Sequence, residues 1–490
     1  MDNSKHTKEK VAGGLFWTFS ERAAAQLVST IVGIVLARIL APEDYGVLSI
    51  ILVLINFCDL FVTNGFGAAL VQKKVATELD FNTAFIISLI LSLILYGVLY
   101  VCAPFVAIFY NKEILTPAIR VLGLRVIITA VNTIQHAGIR RAMQFRKFFF
   151  STLIGTLISC VVGIIMAIKG FGAWALIAQY MTNTAIDTFV LSVTNPWRPK
   201  AEFSKESAKW IFSYGGKVLA TNLTFSIGGE IRSLAIGKVF GAADLAFYNQ
   251  GAKYPNIMVS NINTAIQEVM LPTFSRVQDD IKELKRILRR SISVEAFVLS
   301  PVLLGFFAIS ATFVSVILTD KWAEAIPYIQ IFSLLYLTYP ISSSCHQALL
   351  GIGRSGLVFW ILLIQNVIRL VLVLIAIFYF KSVKAVALIA LFTGYISLIG
   401  FSVSTHKLIN YKYREQAKDV LPSLLISSVM CIAVYLMQAL RISGVLLLVV
   451  QILTGAAIYI SLSALFKLEP YIYLKNLLKE KLLKKIIPAD

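Results

Sequence analysis

The chain has 490 residues, of which 58% are hydrophobic and 14% charged, a balance that excludes a soluble globular protein, where about a quarter of residues carry charge. Its net charge of +19 lies in short clusters between apolar stretches, as juxtamembrane anchors do, and this placement argues against a nucleic-acid partner. Five cysteines scattered inside apolar runs and four histidines far apart in sequence exclude a disulfide framework and leave no metal site, and nothing calls for a cofactor.

The basic N-terminus, Met1 to Lys10, leads into a long apolar stretch without a small-residue cleavage site, so the first span is expected to be retained. A membrane-crossing helix needs about 20 mostly apolar residues. That ruler predicts an all-α integral membrane protein with about fourteen spans, at 13–37, 45–70, 81–109, 114–137, 149–168, 172–194, 210–234, 245–271, 294–318, 326–349, 356–380, 384–406, 418–439 and 443–466. The segment 272–293, with Asp279, Asp280, Lys282, Lys285, Arg286, Arg289 and Arg290, reads as a cytoplasmic amphipathic helix.

With the N-terminus inside, fourteen crossings place thirty Lys and Arg in cytoplasmic segments and eight outside, namely Arg38, Lys112, Lys169, Lys238, Lys321, Lys381, Lys384 and Arg441. This is the bias the positive-inside rule asks for, with both termini in the cytoplasm. No segment outside the spans is long enough to hold a soluble catalytic domain, so an enzyme is not expected.

The sequence also repeats itself. Leu36–Val47 (LARILAPEDYGV) resembles Ile236–Phe247 (IGKVFGAADLAF) at an offset of 200, and Asn56 pairs with Asn256. Ala175–Ala178 and Ala387–Ala390 both read ALIA. A duplication would make two like-oriented, pseudo-symmetric six-helix lobes with the substrate site at a central cavity. The expected division is an N-terminal lobe at 1–195, a cytoplasmic linker at 196–209, a C-terminal lobe at 210–406, and two further spans with a basic tail at 407–490.

Polar residues at membrane depth are costly and normally face protein or water. In the first span Thr18, Arg22, Gln26, Ser29 and Gly33 share a helical face. Span 8 carries a five-turn stripe of Asn249, Lys253, Asn256, Ser260, Asn263 and Gln267, and span 7 has Lys217 and Thr221 beside Asn222 and Glu230. Span 2 holds Asn56, Asp59 and Thr63. Small and amide residues also glue helices together, but glue does not need a cation, which singles out Arg22, Lys217 and Lys253. Arg125 and Arg369 are further intramembrane bases. Asp59 and Glu230 have two readings, as ion-coupling acids or as partners that neutralise the cations.

Three segments carry a family resemblance: Ala37–Gly46 (ARILAPEDYG), Gly65–Gln72 (GFGAALVQ) and Arg141–Phe148 (RAMQFRKF). Through them the chain resembles polysaccharide repeat-unit flippases of the multidrug/oligosaccharidyl-lipid/polysaccharide exporter superfamily, in the subgroup serving colanic, teichuronic and similar exopolysaccharides. The resemblance implies two six-helix lobes around a cavity that opens alternately to each side of the bacterial inner membrane. It also implies a substrate oligosaccharide attached through pyrophosphate to undecaprenol. Relatives use cations on the first, seventh and eighth helices, which here correspond to Arg22, Lys217 and Lys253. Polysaccharide polymerase and chain-length machinery are the implied protein partners, and the chain is expected to act as a monomer.

On this reading the cations carry the pyrophosphate, while Gln26, Asn56, Asn222, Asn249, Asn256 and Asn263 offer hydrogen bonds to sugar hydroxyls. A drug/cation antiporter of the same superfamily is the first rival. The span interiors hold seven bases and six acids, so charge balance separates the two poorly, and the basic stripe of span 8 says more. A membrane glycan polymerase is the second rival, disfavoured by the short outward loops.

Overall fold

The computed structural model describes residues 24–476 except 64, 65, 74, 143, 196, 441 and 443. Among them the regular structure is helical. The chain runs through α1 (Ala24–Ile39), α2 (Pro42–Thr63), α3 (Phe66–Gln72), α4 (Glu78–Tyr110), α5 (Leu115–Arg141), α6 (Phe145–Ile168), α7 (Ala173–Thr194) and α8 (Lys205–Val239). It continues through α9 (Ala242–Arg276), α10 (Ile281–Phe313), α11 (Ile326–Tyr336), α12 (Tyr339–Gly351), α13 (Ser355–Ile375), α14 (Val383–Ile409), α15 (Tyr413–Leu436) and α16 (Gly444–Leu465). A last helix, α17, covers residues 469–476.

Nine helices among the described residues are long and apolar enough to cross a membrane, making this a multi-pass membrane protein. They are α2, α4, α5, α6, α10, α13, α14, α15 and α16, several of them read with a following turn. The expectation of fourteen crossings also counts α1, α7, α8, α9 and the α11–α12 pair. Span 2 is described as α2 up to Thr63 and as α3 from Phe66, with residues 64 and 65 outside the described residues. One predicted span is a broken helix. Span 10 divides into α11 and α12 around Pro340, the second residue of α12, whose ring and missing N–H are tolerated in a helix's first turn but break a helix interior.

The repeat is visible in where helices begin and end. The α1–α2 boundary falls at 39/42 and the α8–α9 boundary at 239/242, the same offset of 200 seen in the sequence. Helices α4 and α10 are both 33 residues long.

The chain divides into two compact units, residues 1–246 and 247–490. In the first, α4 packs on α5 and α8, α6 on α7, and α5 on α2, α3 and α7. Its charged end is organised by Asp80, which completes a capping box with Thr77 at the start of α4. The same carboxylate accepts from Lys73 at 2.6 Å and from Ser207 on α8. A backbone N–H of Ser204 donates to Thr83, seating the N-cap of α8 against α4.

In the second unit α10 is the central element, packed on α11, α12, α15 and α16, while α13 and α14 pair alongside. Residues 281–293 form the first turns of α10 itself, continuous with the apolar part. There Leu284, Leu288 and Ile292 are fully buried, whereas Lys282, Arg286 and Arg290 are exposed. This i, i+4, i+8 division makes the segment amphipathic.

Candidate functional site

The polar residues within the first unit converge on two networks. In one, the Arg125 guanidinium on α5 lies 3.5 Å from the Asp59 carboxylate on α2 and donates to Thr184 on α7 at 3.0 Å. Two turns along α5, Asn132 donates to Asp187 at 2.7 Å and to Thr188 at 3.0 Å. His136 lies 3.3 Å from the same Asp187 oxygen. Every one of these groups is at least partly buried, and each acid has a partner on another helix. Desolvation makes such pairing obligatory, since an isolated buried carboxylate costs several kcal/mol in a low-dielectric medium.

The second network joins α2 to α8. Asn56 lies beside Glu230, which also lies beside Arg232. The sequence-predicted Asn56, Asp59 and Glu230 are thereby linked through α2, with Asn56 on one network and Asp59 on the other.

The stripe on α9 does not act as one surface. Gln267 donates to the Ser343 hydroxyl of α12 at 3.1 Å, and that hydroxyl donates to Asn263. Nearer the start of the helix, Asn256 is exposed, Asn249 has a polar or ring contact of its own, and the Lys253 ammonium lies 5.8 Å from the Tyr254 ring centroid. Among the described residues Lys253 makes no ion pair. A cation over an aromatic face keeps its charge available to an anion.

The other expected residues are dispersed. Gln26 donates to Thr30 one turn along its own helix at 3.2 Å. Arg369 on α13 donates to Thr393 on α14 at 3.2 Å, so it serves the second unit's helix packing. Asn222 is half-buried on α8. Arg22 lies outside the described residues, as does the side chain of Lys217.

Sequence reasoning passed over Asn132, His136 and Asp187. The signal was present: Arg125, Thr129, Asn132 and His136 step by four, three and four along α5, the same test that marked the other stripes. Glu295 on α10 is one of the six acids of the span interiors. It is fully buried and accepts from Ser344 on α12 at 2.9 Å.

Comparison with known proteins agrees with this arrangement of membrane helices. The chain is 24% identical over 310 residues to the teichuronic acid biosynthesis protein TuaB of Bacillus subtilis, covering 62% of this chain and 63% of that protein's length. It is 25% identical over 340 residues to the succinoglycan biosynthesis transport protein ExoT of Rhizobium meliloti, covering 68% of this chain and 67% of ExoT. It is 22% identical over 358 residues to the lipopolysaccharide biosynthesis protein WzxC of Escherichia coli, covering 72% of each. Among solved structures, the lipid II flippase MurJ in its inward closed conformation superposes with a TM-score of 0.74 at 15% identity, over 92% of this chain and 98% of MurJ. An inward-facing multidrug resistance MATE family transporter of the MOP superfamily gives 0.64 at 15% identity, over 79% and 96%. These likenesses establish the fold as that of MurJ and MATE transporters.

The profile of the polysaccharide biosynthesis protein family matches residues 35–327, a stretch that contains all three segments on which the resemblance rested. With more than half of its length matched, the chain belongs to the polysaccharide biosynthesis protein family.

Proposed function

We propose that this protein is a flippase that carries lipid-linked oligosaccharide repeat units across the membrane by alternating access, for assembly of an exopolysaccharide, O-antigen or capsule. It acts as a transporter and not as an enzyme. Family membership supports this reading, together with relatives named for polysaccharide biosynthesis and transport. The structural observation that carries it is Lys253, a cation over an aromatic ring and without an ion-pair partner among the described residues. Neutral sugars do not need such a group, and a cationic drug would be repelled by it. A phosphate on the lipid carrier would be held by it, and the carrier proposed is undecaprenyl pyrophosphate.

On this proposal Lys253, with Arg22 and Lys217, offsets the cost of moving the dianionic headgroup past the bilayer centre. Asn56, Asn222 and Asn256 contact the sugars. Asp59 serves Arg125 as a counter-charge, and Glu230 serves Arg232. The proposed location is the bacterial inner membrane, on the strength of the family, with both termini inside, an orientation that the distribution of Lys and Arg supports. The polymerase and chain-length proteins are the proposed partners.

The test is deletion of the gene followed by analysis of membrane lipids. Accumulation of one lipid-linked oligosaccharide, reversed by the wild-type gene and not by an Arg22→Ala/Lys253→Ala variant present at normal abundance, is expected. Full complementation by that variant would remove the cations from the mechanism. Altered drug susceptibility without glycan accumulation would favour an antiporter.

A further inference from the structure

The second unit carries a groove of about 460 Å³ between the first turns of α10, the first turns of α15 and α17. The volume falls within the about 300–1,000 Å³ typical of small-ligand sites. Its walls hold five cations from one helix, Lys282, Lys285, Arg286, Arg289 and Arg290, against three acids, Glu415, Asp419 and Glu469.

Two of the cations are committed to holding the groove together. Arg289 grips Asp419 through two hydrogen bonds of 2.8 and 2.7 Å, a bidentate pairing that fixes geometry as well as charge. Lys285 lies 2.7 Å from Glu415 and donates to the Asn410 carbonyl. Tyr411 adds a hydrogen bond of 2.8 Å to Asp419. The α10–α15 wall is thereby set by neutralised pairs.

The remaining three cations are differently placed. Lys282, Arg286 and Arg290 form an exposed row at four-residue steps, rising about 6 Å per step along the helix. Among the described residues Arg286 has only its helical neighbour Glu283 as an ion-pair partner. Lys282 has no ion pair among the described residues, and Arg290 lies over the Tyr473 ring at 3.7 Å from its centroid. The groove therefore has a built wall and a row of cationic charge left over.

Its level relative to the bilayer is marked by three helices at once. Helix α10 turns apolar after Arg290, α15 turns apolar after Asp419, and α16 is apolar up to Leu465 with charges beginning at Lys467. The Arg289–Asp419 and Arg290–Tyr473 contacts bring these transitions together. Val294, Pro470 and Tyr473 supply an apolar edge beside the charges. A ligand here meets cations at its head and apolar surface next to it.

We propose that this groove binds a phosphate-bearing headgroup, that of an anionic membrane lipid, with Lys282, Arg286 and Arg290 as its ligands. A bound anionic lipid would hold α17 against α10 and α15. The proposal uses none of Arg22, Lys217 and Lys253 and does not depend on the flippase reading.

The experiment uses the full-length protein in nanodiscs containing equal phosphatidylglycerol and phosphatidylcholine, with retained lipids counted by native mass spectrometry. Wild type is expected to retain phosphatidylglycerol over phosphatidylcholine by roughly fivefold or more, since a cation near a membrane surface contributes about 1 kcal/mol toward anionic lipid. The Lys282→Gln/Arg286→Gln/Arg290→Gln variant is expected to show no preference. Lys282→Gln alone, at an exposed side chain without an ion pair among the described residues, should lose roughly fivefold and covers the case in which the triple variant fails to fold. Millimolar inorganic phosphate that strips the lipid would support the phosphate site and assign it a soluble occupant. No preference in wild type, or equal retention in wild type and Lys282→Gln, would overturn the proposal.

Discussion

Gly46 and Ala242 meet backbone to backbone: a Cβ added to Gly46 would sit 1.9 Å from the Ala242 carbonyl oxygen. The two residues belong to the two copies of the repeated motif, and Ala242 is the first residue of α9 as Pro42 is of α2. The contact thus lies between the starts of two equivalent helices, inside the first unit. Gly46→Ala cannot be absorbed by a rotamer change because the obstacle is backbone. The expected cost is about 1–3 kcal/mol or more, read as a fall of several degrees in the thermal midpoint of the detergent-solubilised protein. Gly228→Ala, on α8 where a Cβ meets nothing within 4 Å, is the control and should leave the midpoint within a degree or so. A neutral Gly46→Ala would show that the helix starts can separate freely.

Arg125 and Asp59 make a pair whose halves are unequal in consequence. Removing the guanidinium with Arg125→Ala strands the Asp59 carboxylate, one oxygen of which is buried without a hydrogen bond even in the native protein. Breaking one half of a buried pair costs about 3–5 kcal/mol, and Arg125→Ala should sharply lower the folded yield. Adding Asp59→Asn to that variant should recover a large part of the loss, because no charge is left unpaired. The measurement is a double-mutant cycle on thermal stability, with transport scored in parallel. If Asp59 instead carries a coupling ion, Asp59→Asn in the wild-type background will abolish transport with stability unchanged.

The helices and their polar faces were legible in the sequence because each depends on one chain segment. Apolar length marked the spans, and steps of three and four marked the stripes on α8 and α9. What could not be read was which helix each stripe meets. Asn263 and Gln267 share a face with Lys253, yet they end on Ser343 of α12, a helix set by the proline break after α11. Spacing along one helix says nothing about its neighbour's register. The α5 stripe of Arg125, Thr129, Asn132 and His136 has the same spacing, but its role depends on Asp59 of α2 and Asp187 of α7, partners that spacing along α5 does not reveal. The pairing of Arg289 with Asp419 joins residues 130 apart, a distance in sequence that no periodicity covers.

The Ser343 contacts separate packing from substrate binding on α9. If Asn263 only joins α9 to α12, Asn263→Ala and Ser343→Ala both remove the bond between them, Ser343→Ala also removes the one from Gln267, and both effects should be small. Interhelical hydrogen bonds in membranes average about 0.6 kcal/mol, so both variants should keep near-normal export. Lys253→Gln, by contrast, should remove most export while its stability stays within about 1 kcal/mol of wild type. Export lost in Asn263→Ala but kept in Ser343→Ala would place Asn263 among the sugar contacts.

Tyr411 gives the alkaline limb of stability a specific origin. It lies between α14 and α15, outside both spans, fully buried, with its hydroxyl donating to Asp419. Burial, then the neighbouring Asp419 charge and the hydrogen bond to it, push the hydroxyl well above the ordinary tyrosine value, which is about 10. A group whose folded-state pKa is raised contributes stability in full below its unfolded value and loses it as pH rises beyond that. The wild type should therefore be more stable than Tyr411→Phe at neutral pH, by about 1.5–3 kcal/mol for a hydrogen bond to a charged acceptor. That advantage should shrink steadily once the pH passes about 10, because unfolding then releases the phenol to ionise. Thermal midpoints of the two proteins at pH 7, 9 and 10.5, compared as differences so that shared lysine titration cancels, provide the check. A difference that stays constant across this range would mean that Tyr411 is not held protonated by its burial against Asp419.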